Sequence, residues 1–219
     1  MKQCIILANG NKPKKQIINF YKNKGFKPLI AADGGANSTF TMKIDPDIII
    51  GDLDSIMPEV LSFYKNKRQI KIIHYKRQND TDVEKCLKYA IKHKFNKVVL
   101  LGATGDRLDH SFCNLGILIK YFNKIEISLI HEKSILKAFT GDVLFNTIPG
   151  ETISLYGFDE QTKIKSKGLK YPLRNVSLPF GKKESTSNEA KADKVSLKIQ
   201  GGIIFVIRNF KDAILNDFF

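Results

Sequence analysis

The sequence contains no tryptophan and few cysteines. Three cysteines, Cys4, Cys86 and Cys113, are spread over 219 residues. Their odd number and the lack of any CxxC spacing argue against a disulfide framework and against a zinc site. Cys4 lies in an apolar strand pattern and the other two lie in helical patterns, so we expect each to act as a small buried apolar side chain.

Long hydrophobic runs are also missing. The longer apolar runs, such as Val98–Leu101, have the length of a strand, whereas a membrane-spanning helix needs roughly 18 apolar residues. The apolar stretch at Cys4–Ala8 is too short for the core of a signal peptide. A hydrophobic content of 42% and a charged content of 26% are typical of a globular protein. We therefore expect a cytoplasmic protein with no membrane partner.

Acidic residues are scarce relative to basic ones. Lys and Arg together number 36 and Asp and Glu 22, which gives a formal net charge of +14. Such a charge is compatible with nucleic-acid binding, but only five of the cations are Arg, the side chain that most often reads bases. The lysines are spread along the chain, which favours a lysine-covered surface that helps to attract an anionic substrate. We expect no nucleic-acid partner; salt-sensitive nucleic-acid binding is the alternative outside the enzymes.

The apolar pattern from residue 1 to about 130 predicts an α/β fold. Short apolar runs of the kind found in a buried parallel sheet occur at Cys4–Ala8, Pro28–Ala32, Ile48–Ile50, Lys71–Tyr75, Val98–Leu101 and Glu126–Ile130. Helical stripes lie between several of them, at Ile17–Tyr21, Val83–Ile91 and Leu108–Phe122. The alternation of strands and helices predicts a parallel-type sheet with flanking helices.

The pattern changes after about residue 138. Short alternating or β-branched segments take over, at Val143–Ile148, Thr152–Gly157, Thr162–Lys165, Val195–Ile199 and Ile203–Arg208. Glycine and proline separate them, for example at Gly141 and at Gly201-Gly202, as is typical of an all-β sandwich or barrel. We therefore expect an α/β domain over residues 1–135 and an all-β sandwich domain over residues 136–219.

Acidic side chains stand just after successive strands of the predicted first domain. The residues concerned are Asp33, Asp52, Asp54, Asp80, Asp82, Asp106 and Asp109. Ligands of open α/β sheets bind outside the carboxyl ends of the strands, and crowded carboxylates need a cation. Mg²⁺ suits this setting because it prefers oxygen ligands and retains waters and substrate phosphates. Any one Asp could be a helix cap or a turn residue, but the set as a whole predicts a metal site.

Some of these segments carry more specific signals. In Gly51-Asp52-Leu53-Asp54-Ser55, two acids two residues apart point the same way in an extended chain, which suits joint metal binding. The segment Gly102–His110 is rich in glycine and includes Arg107, so its backbone and its guanidinium could contact phosphate. Thr81 and Glu84 fit a capping box at the start of a helix. Neither GxGxxG nor the Walker A pattern is present.

Taken in order, these motifs resemble those of the thiamine pyrophosphokinase family over most of the chain. The matching segments are Ala32–Asn37, Gly51–Ser55, Asp80–Lys85, Gly105–Asn114, Gly168–Leu173 and Ser185–Glu189. The resemblance implies an α/β ATP-binding domain followed by a β-sandwich domain that binds thiamine. It also implies a homodimer with active sites shared between subunits. The implied reaction is the Mg²⁺-dependent transfer of pyrophosphate from ATP to the thiamine hydroxyl, which yields thiamine diphosphate and AMP.

The resemblance also implies roles for individual residues. The catalytic residues are Asp52, Asp54, Asp82 and Arg107, and the three acids are the metal ligands. The nucleotide side comprises Asp33, Gly34, Asn37, Asp80, Thr104, Arg107, Asp109, His110 and Asn114. The thiamine side comprises Gln78, Tyr171, Ser185, Ser187 and Asn188. Tyr171 stands where some relatives carry tryptophan, and its ring still offers an aromatic face.

A second enzyme class stays open on the residues alone. The segment Asp52-Leu53-Asp54-Ser55 also resembles the DxD(S/T) element of Asp-nucleophile phosphatases. In those enzymes the element usually ends the first strand, whereas here it ends about the third. A phosphatase would release inorganic phosphate from monoesters without ATP, so a product assay separates the two classes.

Overall fold

The chain forms two structural units in a computed structural model that describes residues 2–76, 79–105, 107–215 and 218. The first unit is Met1–His131 and the second is Glu132–Phe219. Among the described residues, the structure contains no helix that is both long and apolar enough to cross a lipid bilayer.

The first unit alternates strands and helices along the chain. Its elements are β1 (Gln3–Leu7), α1 (Lys15–Asn23), β2 (Leu29–Ala32), α2 (Gly35–Thr41), β3 (Ile48–Gly51), α3 (Pro58–Lys65), β4 (Lys71–His74), α4 (Asp82–Lys92), β5 (Lys97–Leu101), α5 (Leu108–Lys120) and β6 (Glu126–His131). The strands pair in parallel in the order β6-β5-β1-β2-β3-β4. The six predicted strands and the parallel sheet are therefore confirmed.

The strands of this sheet consist of residues that tolerate burial on both faces. Every residue of β2 and of β3 is buried, as continuous apolar runs predict for the centre of a parallel sheet. Burial of one Leu or Ile side chain stabilises a fold by about 1.5–3 kcal/mol. The strand β4, at the edge of the sheet, is exposed at Lys71 and His74. The hydrophobic core of the unit thus lies around β1, β2, β3 and β5.

Two expectations about the helices of the first unit need correction. Cys113 is exposed on α5, whereas Cys4 and Cys86 are buried as expected. The predicted stripe on α5 also faces outward, since Leu108 is 71% exposed and Phe112 is 60% exposed.

A polar side chain helps to decide which face of α5 is turned inward. Asn114, which is buried, donates a hydrogen bond from Nδ2 to the carbonyl of Ala103 at 2.6 Å. This bond, together with the burial of Ile117 and Leu118, fixes the inward face of α5. The apolar stripe that begins at Leu108 is therefore left outside.

The second unit consists mainly of antiparallel strands. Its elements are β7 (Ser134–Asn146), β8 (Thr152–Tyr156), β9 (Lys163–Lys167), β10 (Arg174–Val176), β11 (Ser185–Glu189), β12 (Lys194–Asn209) and α6 (Phe210–Leu215). The long strands β7 and β12 pair with each other, and β12 also pairs with β8 and β9. The strand β9 pairs with β10, and β8 pairs with β11. The chain as a whole therefore contains a mixed set of strands with helices.

Glycine does not divide the strands of the second unit as the sequence predicts. The segments Val195–Ile199 and Ile203–Arg208 belong to one strand, β12, which runs through Gly201 and Gly202. The pairing with β7 shifts register between Ile199 and Ile204, and Gly201 has a φ of +93°. A glycine in this region of backbone space accommodates a bulge inside a strand as readily as a turn between strands.

A buried ion pair holds part of the second unit together. Arg208 in β12 and Glu151, just before β8, have fully buried side chains, and Arg208 donates to both carboxylate oxygens of Glu151. The guanidinium also donates to the carbonyl of Asn146 at 2.9 Å and stacks 4.5 Å from the ring centre of Phe218. A charge buried to this extent depends on its partner for stability.

Candidate functional site

The segments that follow the carboxyl ends of β1, β2, β3, β4 and β5 line a cavity of about 210 Å³. It is lined by Ala8, Asn9, Gly10, Ala32, Asp33, Gly34, Ser55, Thr81, Asp82, Val83, Gly102, Ala103, Thr104, Gly105, Arg107, His110, Ser111 and Asn114. Parallel strands deliver their following loops to a single edge of the sheet, which is where open α/β folds bind ligands. Of the strand-end acids that the sequence predicts to converge, Asp33 and Asp82 line this cavity, and Asp106 lies outside the described residues.

Three carboxylates lie close together at this edge of the sheet. One oxygen from each of Asp33, Asp52 and Asp82 lies within 4.8 Å of the other two. They come from the ends of β2 and β3 and from the first turn of α4. Asp54, a predicted metal ligand, is exposed beside this trio, and its Oδ1 accepts a hydrogen bond from the hydroxyl of Ser55 at 2.9 Å. Asp33, predicted for the nucleotide side, is thus the third member of the tight group.

Asp33 is held in an unusual position. Its backbone has a φ of +43°, its side chain is buried, and its Oδ2 accepts the backbone N–H of Ser55 at 3.1 Å. Its Oδ1 is buried without a hydrogen-bond partner in the described part of the chain, and so is Oδ1 of Asp52. Burial, reinforced by the charges of nearby Asp residues, raises the pKa of Asp33 to about 6, against the lowering effect of the Ser55 bond. Unpartnered carboxylate oxygens of this kind favour a bound cation.

A lysine joins two of the carboxylates. Lys85, in α4, places Nζ 2.9 Å from Oδ2 of Asp52 and 2.7 Å from Oδ1 of Asp82, and its side chain is 4% exposed. The hydrogen bond from Lys85 is the main cause of the lowered pKa of Asp52. Burial disfavours the charged form of Lys85, but its bonds to Asp82 and Asp52 outweigh this, and the pKa of Lys85 is raised. The lysine is therefore a charged part of the site.

Local sequence positions the start of α4. Thr81 caps the helix, with Oγ1 accepting the backbone N–H of Glu84 at 3.3 Å, as the capping motif predicts. The buried carboxylate of Glu84 does not serve the cap but accepts hydrogen bonds from Tyr121 and from Lys120 at the end of α5. This contact ties α4, which carries Asp82 and Lys85, to α5.

The glycine-rich loops after β1 and β5 run side by side. The N–H of Gly10 donates to the carbonyl of Gly102 at 2.7 Å, and the N–H of Asn11 donates to the carbonyl of Thr104 at 2.8 Å. Gly102 has a φ of +61°, and a methyl group there would lie 2.6 Å from the carbonyl oxygen of Ala8. Only glycine permits this approach, which brings two stretches of backbone to the wall of the cavity.

Several predicted nucleotide-side residues line the cavity next to these loops. They are Asp33, Gly34, Thr104, Arg107, His110 and Asn114. The hydroxyl of Thr104 lies 2.6 Å from Nδ1 of His131, at the end of β6. Arg107 and Asp109 form an exposed ion pair, and its hydrogen bond lowers the pKa of Asp109 to about 2. Six of the nine residues predicted for the nucleotide side therefore line one cavity.

Two further residues of the nucleotide-side prediction have structural contacts. Asn37, in α2, donates from Nδ2 to the carbonyl of Ser55 and accepts the N–H of Met57, so it holds the loop after β3. Asp80 forms an ion pair with Lys88 of α4. Both lie in segments that carry the carboxylate trio.

The predicted thiamine-side residues of the second unit cluster around one amide. Asn188, which is buried, accepts the N–H of Tyr171 at 3.1 Å and donates to the carbonyl of Tyr171 at 2.8 Å and to Oγ of Ser185 at 2.9 Å. Tyr171 is 62% exposed, and Ser187 has a φ of +53°. The β11–β8 pairing shifts register between Ser185 and Asn188. Asn188 therefore anchors a strained, exposed segment, whereas Gln78 lies outside the described residues.

Sequence reasoning missed two polar side chains at this edge. Lys85 was part of a recognised motif but was given no role, although its spacing of three from Asp82 places both on one face of a helix. His131 follows the sixth apolar run and ends β6, so it occupies the same kind of strand-end position as the acids. Helical spacing from Asp82 would have found Lys85, and counting imidazoles at strand ends along with carboxylates would have found His131.

Two family models match the chain in succession. Residues 21–129 match the model described as "Thiamin pyrophosphokinase, catalytic domain", and residues 142–204 match "Thiamin pyrophosphokinase, vitamin B1 binding domain". A relative from Caenorhabditis elegans, "Thiamin pyrophosphokinase 1", is 30% identical over 196 residues, which cover 83% of this chain and 79% of the relative. The chain belongs to the thiamin pyrophosphokinase family. This is a family of enzymes, so the chain is an enzyme, and the resemblance inferred from its motifs is confirmed.

Further relatives and solved structures agree with membership of the thiamin pyrophosphokinase family. "Thiamine pyrophosphokinase" from Bacillus subtilis is 26% identical over 221 residues, covering 95% of this chain and 99% of the relative. A crystal structure of thiamine pyrophosphokinase from Bacillus subtilis superimposes with a TM-score of 0.84 at 25% identity, covering 95% of this chain and 99% of that one. The structure from Candida albicans gives a TM-score of 0.81 at 20% identity, covers 94% of this chain and 90% of that one, and shows the shared fold.

Proposed function

We propose that this enzyme transfers the pyrophosphoryl group of ATP to the hydroxyl of thiamine, giving thiamine diphosphate and AMP. The observation that carries the proposal is the placement of three convergent carboxylates beside a cavity walled by glycine-rich backbone. Carboxylates that hold a divalent ion next to a phosphate-binding wall are the parts that phosphoryl-type transfer needs. Membership of the family supplies the substrate class.

The carboxylates fit Mg²⁺. Asp33 and Asp52 each present a buried oxygen without a partner among the described residues, and Asp82 adds a third oxygen within 4.8 Å. An all-oxygen donor set with room for waters is what Mg²⁺ prefers. We assign Asp52, Asp82 and Asp54 as ligands, as the motif predicts, and add Asp33. Bound there, Mg²⁺ would neutralise charge on the triphosphate.

The nucleotide would occupy the cavity beside these acids. The paired loops after β1 and β5 offer backbone at the wall, and Gly34, Thr104, His110 and Asn114 line it. Arg107, at the mouth, would contribute positive charge near the phosphates. Asn37, Asp80 and Asp109 support the surrounding loops, and we keep them on the nucleotide side.

The chain's own groups would carry out the reaction as follows. The cavity and the carboxylate edge would hold the triphosphate with its β-phosphorus facing the thiamine hydroxyl. The hydroxyl oxygen forms a bond to the β-phosphorus, and the bond to the oxygen bridging the α- and β-phosphorus breaks, which releases AMP. One carboxylate of the trio accepts the hydroxyl proton. Most of the rate gain would come from positioning and from charge neutralisation.

We place the thiamine side on residues 136–219, proposed as a β-sandwich domain after the catalytic domain 1–135. Tyr171, exposed and anchored by Asn188, offers a ring to the thiamine rings, and Ser185, Ser187 and Gln78 complete the proposed set. The active site would use the first domain of one subunit and the second domain of the other, in a cytoplasmic homodimer. The exposed apolar stripe of α5 is consistent with a subunit contact.

A product assay tests the reaction. The purified chain is incubated with ATP, Mg²⁺ and thiamine, and AMP and thiamine diphosphate are quantified by chromatography. We expect equal amounts of the two products, and neither without Mg²⁺. Release of ADP with thiamine monophosphate would contradict pyrophosphoryl transfer. Release of inorganic phosphate from monoesters without ATP would favour the phosphatase alternative, and tight salt-sensitive binding of DNA or RNA without turnover would favour the nucleic-acid alternative.

Mixing of subunits tests the shared active site. Asp82→Asn removes a group of the first domain and Tyr171→Ala removes a group of the second domain. Each homodimeric variant should therefore have low activity. Mixed dimers with a shared site contain one site that has lost both groups and one intact site. Random exchange should therefore restore about a quarter of wild-type activity, since half of the dimers are mixed. No recovery after proven exchange would contradict the shared site.

A further inference from the structure

The carboxylate trio offers two places for a cation. The first lies between Oδ2 of Asp52 and Oδ1 of Asp82, where Nζ of Lys85 stands 2.9 Å and 2.7 Å away. The second lies beside Oδ1 of Asp33 and Oδ1 of Asp52, which are buried and have no hydrogen-bond partner among the described residues. One place is therefore filled by the chain itself, and the other presents unpartnered oxygens.

Lys85 is a buried part of this site, on a helix that other contacts hold in place. Its side chain is 4% exposed, whereas Lys92 at the end of the same helix is exposed. It projects from α4, whose start is capped by Thr81 and whose side is tied to α5 through Glu84. An ammonium group that bridges two carboxylates occupies the position that a bridging metal ion would take.

We propose that Lys85 replaces a second metal ion, so that the nucleotide-free enzyme binds one divalent ion per chain at this cluster. The inference rests on the proposed function, which assigns the metal to these carboxylates. The four acids assigned to the site carry four negative charges. Lys85 and one divalent ion supply three positive charges, whereas two divalent ions beside Lys85 would supply five, more than the carboxylates neutralise. By engaging one oxygen each of Asp52 and Asp82, Lys85 also leaves their other oxygens to the metal.

Ion counting on matched variants tests the proposal. Mn²⁺ is titrated into nucleotide-free protein, with bound ions counted by calorimetry and their mutual coupling observed by electron paramagnetic resonance. We expect one uncoupled ion per chain in the wild type. Lys85→Ala vacates the first place and should bind two ions per chain with the broadened signal of a coupled pair. Lys85→Met removes the charge but fills the place, and should bind one.

Lys92→Met is the control, because it removes an exposed lysine of the same helix, and it should bind one ion as the wild type does. Two ions in the wild type, or one ion in a folded Lys85→Ala, would overturn the role of Lys85 while leaving the metal site in place. No binding by the wild type would overturn the metal assignment and this inference with it. If Lys85→Ala does not fold, two ions in the wild type or in Lys85→Met still overturn the proposal, and one in both supports it.

Discussion

Gly51 lies so close to the side chain of Asp33 that it has no room for a methyl group. Such a group would stand 2.6 Å from Cβ and 2.8 Å from Oδ1 of Asp33. Gly51 ends β3, and Asp33 follows β2, the neighbouring parallel strand. A glycine at a strand end therefore sets the position of a carboxylate on the next strand.

Gly51→Ala should displace Asp33 and weaken metal binding. We expect the affinity for Mn²⁺ to fall about 10-fold or more, as for the loss of a group that orients a ligand, and the free energy of unfolding to fall by about 1–3 kcal/mol. Titration calorimetry and thermal unfolding measure the two effects. Gly116→Ala is the control, since its position in α5 has nothing within 4 Å, and it should stabilise by about 0.5–1 kcal/mol. Unchanged metal affinity in Gly51→Ala would contradict this account of Asp33.

Asp33→Asn should stabilise the metal-free protein at neutral pH. The pKa of Asp33 is raised from 3.8 to about 6, so the folded protein retains a proton that the unfolded chain releases between these values. Stability contributed by this group therefore falls as the pH rises through that window. Asn has the same shape, tolerates a positive φ and carries no charge. We expect a gain of about 1–3 kcal/mol at pH 7.5 and little difference near pH 3.5, measured by thermal unfolding in the presence of chelator.

Addition of Mg²⁺ provides the matching readout for Asp33→Asn. A ligand that binds the folded state raises its unfolding temperature. The rise should be clear in the wild type and small in the variant. A wild-type protein that is more stable than Asp33→Asn at pH 7.5 without metal would show that the charge of Asp33 does not destabilise the metal-free fold.

Asp52→Asn and Asp82→Asn should each lose most turnover and remain folded. Each substitution removes a charge from the edge that would hold the metal, so we expect thiamine diphosphate production to fall at least about 100-fold. Asp45→Asn serves as the comparison, because Asp45 pairs with Lys67 at the surface, and it should retain full activity with a stability change of under about 1 kcal/mol. Near-normal production by either site variant would refute the assignment.

The buried pair of Arg208 and Glu151 should behave as a unit. Arg208→Met leaves the Glu151 carboxylate buried without its partner, and we expect a loss of about 3–5 kcal/mol. The double variant Arg208→Met with Glu151→Gln removes both charges and should recover part of that loss. Denaturant unfolding of the single and double variants measures the coupling. Additive losses would show that the two side chains do not depend on each other.

The sequence predicted the fold best where burial is continuous. The central strands β2 and β3 are buried throughout because both faces of a parallel sheet are covered, and the acids that follow them stand out by contrast. The second unit was harder, since a glycine inside a strand and a glycine between strands look alike. Gly201 therefore suggested a break in what is one strand, β12.

Within the site, sequence order predicted which segments converge but not which atoms meet. Asp52 and Asp54 share a strand-end motif, yet Asp33 joins Asp52 in the tight trio while Asp54 is exposed. That outcome depends on the positive φ of Asp33 and on the missing side chain of Gly51. The inward face of α5 depends on the hydrogen bond from Asn114 as well as on the burial of Ile117 and Leu118, and no hydrophobic pattern reveals that bond.

Because β1, β2, β3 and β5 are parallel, the candidate site lies at their carboxyl ends and the turns that lead into the strands lie at the opposite end. Turns that include Gly25 and Asn96 lead into the opposite, amino-terminal ends of β2 and β5. Immobilisation on a biosensor chip through a turn at this far end would place the attachment point at the opposite end of the strands from the carboxylates. Nucleotide and metal capture could then be followed in real time without chemical attachment near the carboxylates.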